Sequence, residues 1–324
     1  MPDFLIGWLS YGSFFMVFAT TFAIIALGLN LQWGFTGLFN VGVAGFVALG
    51  AYSSALLTTP EVAGRWGGFG WPVAVGWLAA MGVSGVAGLL VGVVALRLRQ
   101  DYLAITTFGI AVTIQLVANN ATALTGGPFG VQFIPRPMQG WLGTGLPWTL
   151  AYLALALLVL GVVYVALEKL VRSPWGRVLR AIREDEYAAA SLGKRPALFR
   201  LQSFVIGSML MGLGGAVYAH FVGYIAPEDF LPILTFQLWA MLIVGGSGNN
   251  RGAILGAFIV WTFWAGAGSL LRGWIPQAEQ ARAAALQVVL IGVLIALTLV
   301  LRPRGLLGEE VAVSRHAGGD RPGP

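Results

Sequence analysis

The sequence predicts an all-α fold, a polytopic transmembrane helical bundle of about nine spans (eight to ten). Three observations predict it: an apolar composition, a series of long uncharged runs, and basic residues gathered on alternate connections. Of 324 residues, 57% are hydrophobic and only 10% charged, with a mean hydropathy of +0.81, too little polar surface to wet a soluble domain. A helix crosses the bilayer core in about 20 apolar residues, so a chain of this length is filled by its spans and leaves no room for an appended catalytic domain.

Runs bounded by charge, Gly or Pro place the spans near 11–31, 36–57, 73–96, 102–118, 149–167, 201–222, 232–244, 252–271 and 283–301. The 232–244 run is short for a crossing and is expected to continue into Gly245-Gly246-Ser247-Gly248 as a broken or re-entrant helix. Gly82, Gly85, Gly88 and Gly92 share one helical face, and Gly252 with Gly256 forms a GxxxG pair. Both patterns predict close helix packing, because lipid supplies little hydrophobic drive between helices and backbones must approach to gain dispersion.

With nine spans, one side of the membrane receives Arg97, Arg99, the eight basic residues of 169–200, Arg251 and four in the tail, fifteen in all; the other receives Arg65, Arg136, Arg272 and Arg282. The positive-inside rule therefore puts the C-terminus in the cytoplasm and the N-terminus outside. The basic residues sit at the ends of apolar runs, where anionic headgroups lie, so the formal charge of +6 points to membrane and not to nucleic acid. Asp3 and the lack of a basic stretch before the first run argue against a cleavable signal.

The absences are equally informative. None of the nine spans contains Asp, Glu, Lys or Arg, whereas proton-coupled carriers, voltage sensors and charge-filtered channels use such groups. His220, at the outer end of its span, is expected to be interfacial or packed. There is no cysteine, so no disulfide or thiolate chemistry. No HExxH, GxSxG or intramembrane aspartate pair is present, and His316 lies in a Gly- and Pro-rich tail, so neither an enzyme nor a metal site is expected. Gly193-Lys194 is followed by Arg195 and lacks the upstream glycine of a phosphate loop, so this chain is not expected to bind ATP.

The long connection 168–200 carries its own helical signals. Ser173 suits an N-cap and Pro174 the first helical position. Leu179, Ile182 and Tyr187 offer apolar contacts; a second helix starts at Asp185, and Gly193 can end it in the left-handed conformation. Ala188, Ala189 and Ala190 form a small-residue face beside Arg177, Arg180, Arg183, Glu184, Asp185 and Glu186. That face suits either a docking helix or a solvated loop against headgroups.

The segment 176–186 (GRVLRAIREDE), with Ala188, Ala189, Ala190 and Gly193, resembles the coupling loop of the branched-chain amino acid ABC transporter permease family, in its LivM-type branch. Residues 30–52, 101–105, 124–130, 245–256 and 302–308 resemble further blocks of that family in the same order, covering roughly 20–308. Only about one span fits before Asn30, where the family often has an additional apolar stretch. The resemblance implies a transmembrane permease domain over 1–308, a flexible cytoplasmic tail over 309–324, and a location in the bacterial inner membrane. It also implies a second homologous permease, two ATPase subunits that hold ATP and Mg, a periplasmic substrate-binding protein, and no cofactor or catalytic residue in this chain. ATPase coupling falls to Arg180, Arg183, Glu184, Asp185, Glu186, Ala189 and Gly193.

Transport by alternating access needs a lined path. Unpaired amides facing lipid are costly, so Asn30, Gln32, Asn40, Gln115, Asn119, Asn120, Thr125 and Gln237 are candidates for the pathway, with interhelical hydrogen bonding as the alternative role. Residues 125–130 read either as an outer gate or as a Gly/Pro turn. An uncharged path suits a neutral zwitterion with an aliphatic side chain. It also suits urea or short amides; an ion-coupled secondary carrier and a purely structural subunit are the competing functions.

Overall fold

The computed structural model describes residues 3–309 except Ala63, Arg99, Gln277 and Ala278. Among the described residues thirteen α-helices follow one another: α1 (Asp3–Gln32), α2 (Val43–Thr58), α3 (Val73–Ala95), α4 (Gln100–Asn120), α5 (Thr122–Thr125), α6 (Gln139–Leu142), α7 (Leu146–Arg172), α8 (Pro174–Glu184), α9 (Glu186–Ser191), α10 (Pro196–Val222), α11 (Pro232–Gly245), α12 (Asn250–Trp274) and α13 (Gln280–Leu301). Among the described residues there is no strand, only an isolated antiparallel bridge between Val131 and Ile225. Among the described residues six helices are long and apolar enough to cross a membrane, and three shorter apolar ones, within α2, α11 and α13, account for the other predicted runs.

The centre of the bundle is α1 and α10. Of their most apolar stretches 78% and 72% is buried, against 33% for α3 and 22% for α12, so the first two are surrounded by protein and the others present wide apolar faces to lipid. Glycine makes the centre possible. A Cβ on Gly212 of α10 would lie 2.1 Å from Ser84 Oγ of α3, and one on Gly215 would lie 2.1 Å from the Val47 carbonyl of α2. Backbones thus meet where side chains would hold them apart. Gly85, Gly88 and Gly92 of α3 seat against Met209, Ser208 and Leu201 of α10, as their shared face predicts, but Gly82 has nothing within 4 Å and lies outside that contact. Gly252 and Gly256 pack α12 against the backbone of α11.

Several boundaries differ from the predicted runs. Residues 36–42 are not helical: Gly37 has φ +73° and the Asn40 carboxamide oxygen accepts the Gly42 N–H at 2.8 Å, so α2 begins at Val43. The 232–244 run ends with α11 at Gly245 and does not continue as helix; Gly246 and Gly248 at φ +108° and +79° turn the chain into α12, capped by Asn249 accepting from Arg251 and Gly252. The polar stretch assigned to 168–200 is partly helix from both sides, because α7 runs on to Arg172, supported by the 2.7 Å Glu168–Arg172 pair, and α10 starts at Pro196.

Candidate functional site

The loop between α7 and α10 is built from local signals. Pro174 opens α8, while Ser173 stands at its N-cap but turns its hydroxyl to the Leu170 carbonyl at 2.6 Å instead of capping. Leu179 and Ile182 are buried beneath α8. Asp185 interrupts the helix and caps α9, its Oδ1 accepting from the N–H groups of Tyr187 and Ala188, both at 2.9 Å. Gly193, at φ +74°, ends the segment in the left-handed conformation. Two expectations fail. Ala189 is 4% exposed and faces inward, so the three alanines do not form one open face, and Tyr187 is 88% exposed instead of packed. With Leu192, 79% exposed, it projects an apolar pair outward from α9.

The predicted coupling charges are tied into the bundle. Arg183 donates to the Gly34 carbonyl at the end of α1, to Glu184 at 2.8 Å and to Glu309 at 2.7 Å. Burial works against its charge, but the hydrogen bonds and charges of Glu184 and Glu309 outweigh that, and its pKa lies above the usual value. Glu186 pairs with Arg200 of α10 at 3.0 Å, and Arg180 reaches the Val171 carbonyl at 3.3 Å. Glu309 is therefore held at α8 rather than loose; the rest of the 309–324 tail lies outside the described residues. The chain after α13 also lies against the α11–α12 turn, where Leu306 and Leu307 donate to the carbonyls of Val244 and Gly245, each at 2.9 Å. Glu309 and Gly34 carried no sequence signal, since the contact joins positions far apart in the chain.

Three of the eight predicted pathway residues, Asn30, Gln32 and Asn40, tie segments of the bundle together. Asn30 is fully buried, donating to Asn250 Oδ1 at 3.0 Å and accepting from Gly248 N at 2.9 Å; Asn250 in turn donates to Glu168 at 3.0 Å. Gln32 donates to the Phe204 carbonyl at 2.8 Å and accepts from Asn40 at 2.7 Å. Thr125 closes its own turn on the carbonyls of Ala118 and Ala121. Gln115 and Asn119 are half-buried on α4, and Asn120 is exposed, bonded to Leu116 of its own helix. His220 is fully buried, between Ser54 Oγ at 2.9 Å and the Pro135 carbonyl at 2.8 Å. A carbonyl only accepts, so Nδ1 carries a proton. The 125–130 segment is a turn docked on its neighbour: Val131 and Ile225 exchange both backbone hydrogen bonds at 2.8 and 3.0 Å.

Gln237 is different. It borders a partly open cavity of about 190 Å³ lined by α1, α2, α10, α11, α12 and the short 3-10 turn Pro227–Phe230. Phe18 and Phe22 of α1 form the aromatic wall with Trp261, which stacks on Phe18 at 5.3 Å between ring centroids. At one edge stands Asp229, whose Oδ2 accepts the Ala226 N–H at 2.8 Å. Burial raises its pKa above the ordinary carboxylate value, partly offset by that N–H and by the Tyr218 hydroxyl. Sequence reading passed over Asp229 because it lies in a connection.

The described residues hold no cluster of His, Cys, Asp or Glu fit for a metal. A multi-pass helical bundle with an uncharged interior and a structured basic loop is a membrane transport component. The profile of the family described as "Branched-chain amino acid transport system / permease component" matches residues 12–299, and the chain belongs to that family. It is 33% identical over 308 residues to the high-affinity branched-chain amino acid transport system permease protein LivM of Escherichia coli, covering 88% of this chain and 67% of the relative. A probable LivM permease of Methanocaldococcus jannaschii is 28% identical over 267 residues, 72% and 74% of the two chains. The LivH permease of Escherichia coli is 24% identical over 307 residues, 90% and 92%. No solved structure matches the chain.

Proposed function

We propose that this chain is the membrane-spanning permease subunit of an ATP-driven importer that carries leucine, isoleucine and valine across the bacterial inner membrane. The observation that carries this reading is the α8–α9 loop: it exposes Tyr187 and Leu192 for a partner, while Arg183 and Glu186 tie it to α1, α10 and the chain after α13. A push on α9 therefore reaches the ends of the two central helices. The coupling set is Arg180, Arg183, Glu184, Asp185, Glu186, Ala189 and Gly193, with the first five supplying charge and capping, Ala189 seating the helix and Gly193 ending it. The basic asymmetry of the connections supports a cytoplasmic position for this loop and the C-terminus and an outer one for the N-terminus.

ATP and Mg are held by two ATPase subunits, a second homologous permease completes the membrane unit, and a periplasmic binding protein delivers the amino acid. The names of the LivM and LivH relatives support the substrate and the paired permease. Uptake of labelled leucine, and separately of urea, is measured in a strain lacking this gene and in the same strain with it restored. Leucine uptake is lost and regained under this reading; loss of urea uptake alone, or no loss of either, overturns the substrate assigned.

A further inference from the structure

We propose that the cavity between Asp229, Gln237 and Trp261 is a binding chamber for an aliphatic amino acid within this one subunit, with the ammonium at Asp229 and the carboxylate at Gln237 and Trp261. This rests on the reading of the chain as an amino acid permease and assigns the substrate a place and an orientation in it. The first support is size. At about 190 Å³ the space exceeds the roughly 150 Å³ of a cavity that holds benzene, which is enough for a branched four-carbon side chain. The second is chemistry. The walls are aromatic and aliphatic, yet polar groups are left over in them. The indole N–H of Trp261 is buried without a hydrogen-bond partner, and the Gln237 carboxamide has none among the described residues. Buried donors are seldom left unpaired, and such exceptions call for a missing partner.

Asp229 has capacity to spare as well. A carboxylate offers about four acceptor positions, and Ala226 N–H and the Tyr218 hydroxyl occupy two. An ammonium at that edge would meet the carboxylate where the Tyr218 and Phe230 side chains also line the cavity. Position agrees with this polarity. Asp229 lies on the α10–α11 connection, at the end of the bundle away from α8 and α9, whereas Gln237 and Trp261 lie within their helices. An amino acid entering from outside meets the carboxylate first and the amide and indole deeper in.

The test is equilibrium binding of tritiated leucine to the reconstituted importer without its binding protein, alongside leucine uptake by the complete system. The wild-type complex is expected to bind leucine saturably. Asp229→Asn and Gln237→Leu are each expected to weaken that binding by about tenfold or more, the equivalent of one charge-assisted hydrogen bond. Trp261→Phe keeps the ring and removes the donor, and Ile233→Trp narrows the cavity from its half-exposed edge; these decide the matter if Asp229→Asn fails to assemble with its partner subunits. Wild-type uptake without saturable binding, or binding unchanged in assembled variants, overturns the chamber and leaves the importer standing. Absence of leucine uptake by the wild-type system instead overturns the importer reading itself.

Discussion

Buried amides in a lipid-solvated bundle hold helices together when both ends of the group are used, and Asn30 is such a case. Its carboxamide bridges Asn250 and the Gly248 N–H at the α11–α12 turn. Asn30→Leu would strand a buried backbone donor and a buried amide oxygen, a cost of about 2 kcal/mol or more. A clear drop in the melting temperature of the detergent-solubilised protein is expected, while Asn120→Leu, at an exposed site bonded only to its own helix, leaves it unchanged; equal effects would refute the distinction. The sequence marked the polar residues that matter but not which role each plays. Asn30 and Gln32 differ from Gln115, Asn119 and Asn120 only in which face of a helix they occupy, and a helix apolar all round conceals its buried face. Trp261 and Asp229 were missed for a related reason, since an unpaired indole N–H and a carboxylate at a cavity edge emerge only when five helices are brought together.

Elements fared better where the signals are local. Pro174, Asp185 and Gly193 mark the limits of α8 and α9 because a missing N–H, a capping carboxylate and a left-handed glycine act within a few residues. Ser173 departs from the expected cap because its hydroxyl is turned back to donate to the Leu170 carbonyl of the preceding helix and accepts no N–H of α8. Inward and outward faces of a six-residue helix were not legible, which is why Ala189 and Tyr187 exchanged roles. The outward pair makes the coupling claim testable. Tyr187→Arg alters a side chain that is 88% exposed, so the isolated subunit keeps its melting temperature. In the reconstituted importer, leucine uptake per ATP hydrolysed is expected to fall by about an order of magnitude; full coupling would show that α9 does not face the ATPase. Ala189→Arg is unsuited to this purpose, because a buried guanidinium would disturb the packing itself.

For the whole molecule, the sequence conveys the solvent, the approximate number of crossings and the family, because hydropathy over spanning lengths is the strongest constraint in a membrane chain. It does not convey the centre. α1 and α10 resemble their neighbours in composition, and only the glycine contacts at Gly207, Gly212 and Gly215 place α10 against three partners at once, α1, α3 and α2. The resulting architecture has two distinct ends. Charged residues at Glu168, Arg183, Arg200 and Glu309 lock the loop side, and the other end opens to an aromatic cavity edged by one carboxylate. Between them, the predicted spans carry no charged side chain with which to harness an ion gradient. ATP dependence is therefore the central claim. The most direct measurement is leucine accumulation in proteoliposomes holding the complete importer, with ATP supplied at the ATPase face and with ionophores collapsing the proton and sodium gradients. Uptake that requires ATP and persists without the gradients is the predicted result; uptake that follows an ion gradient and ignores ATP would contradict it.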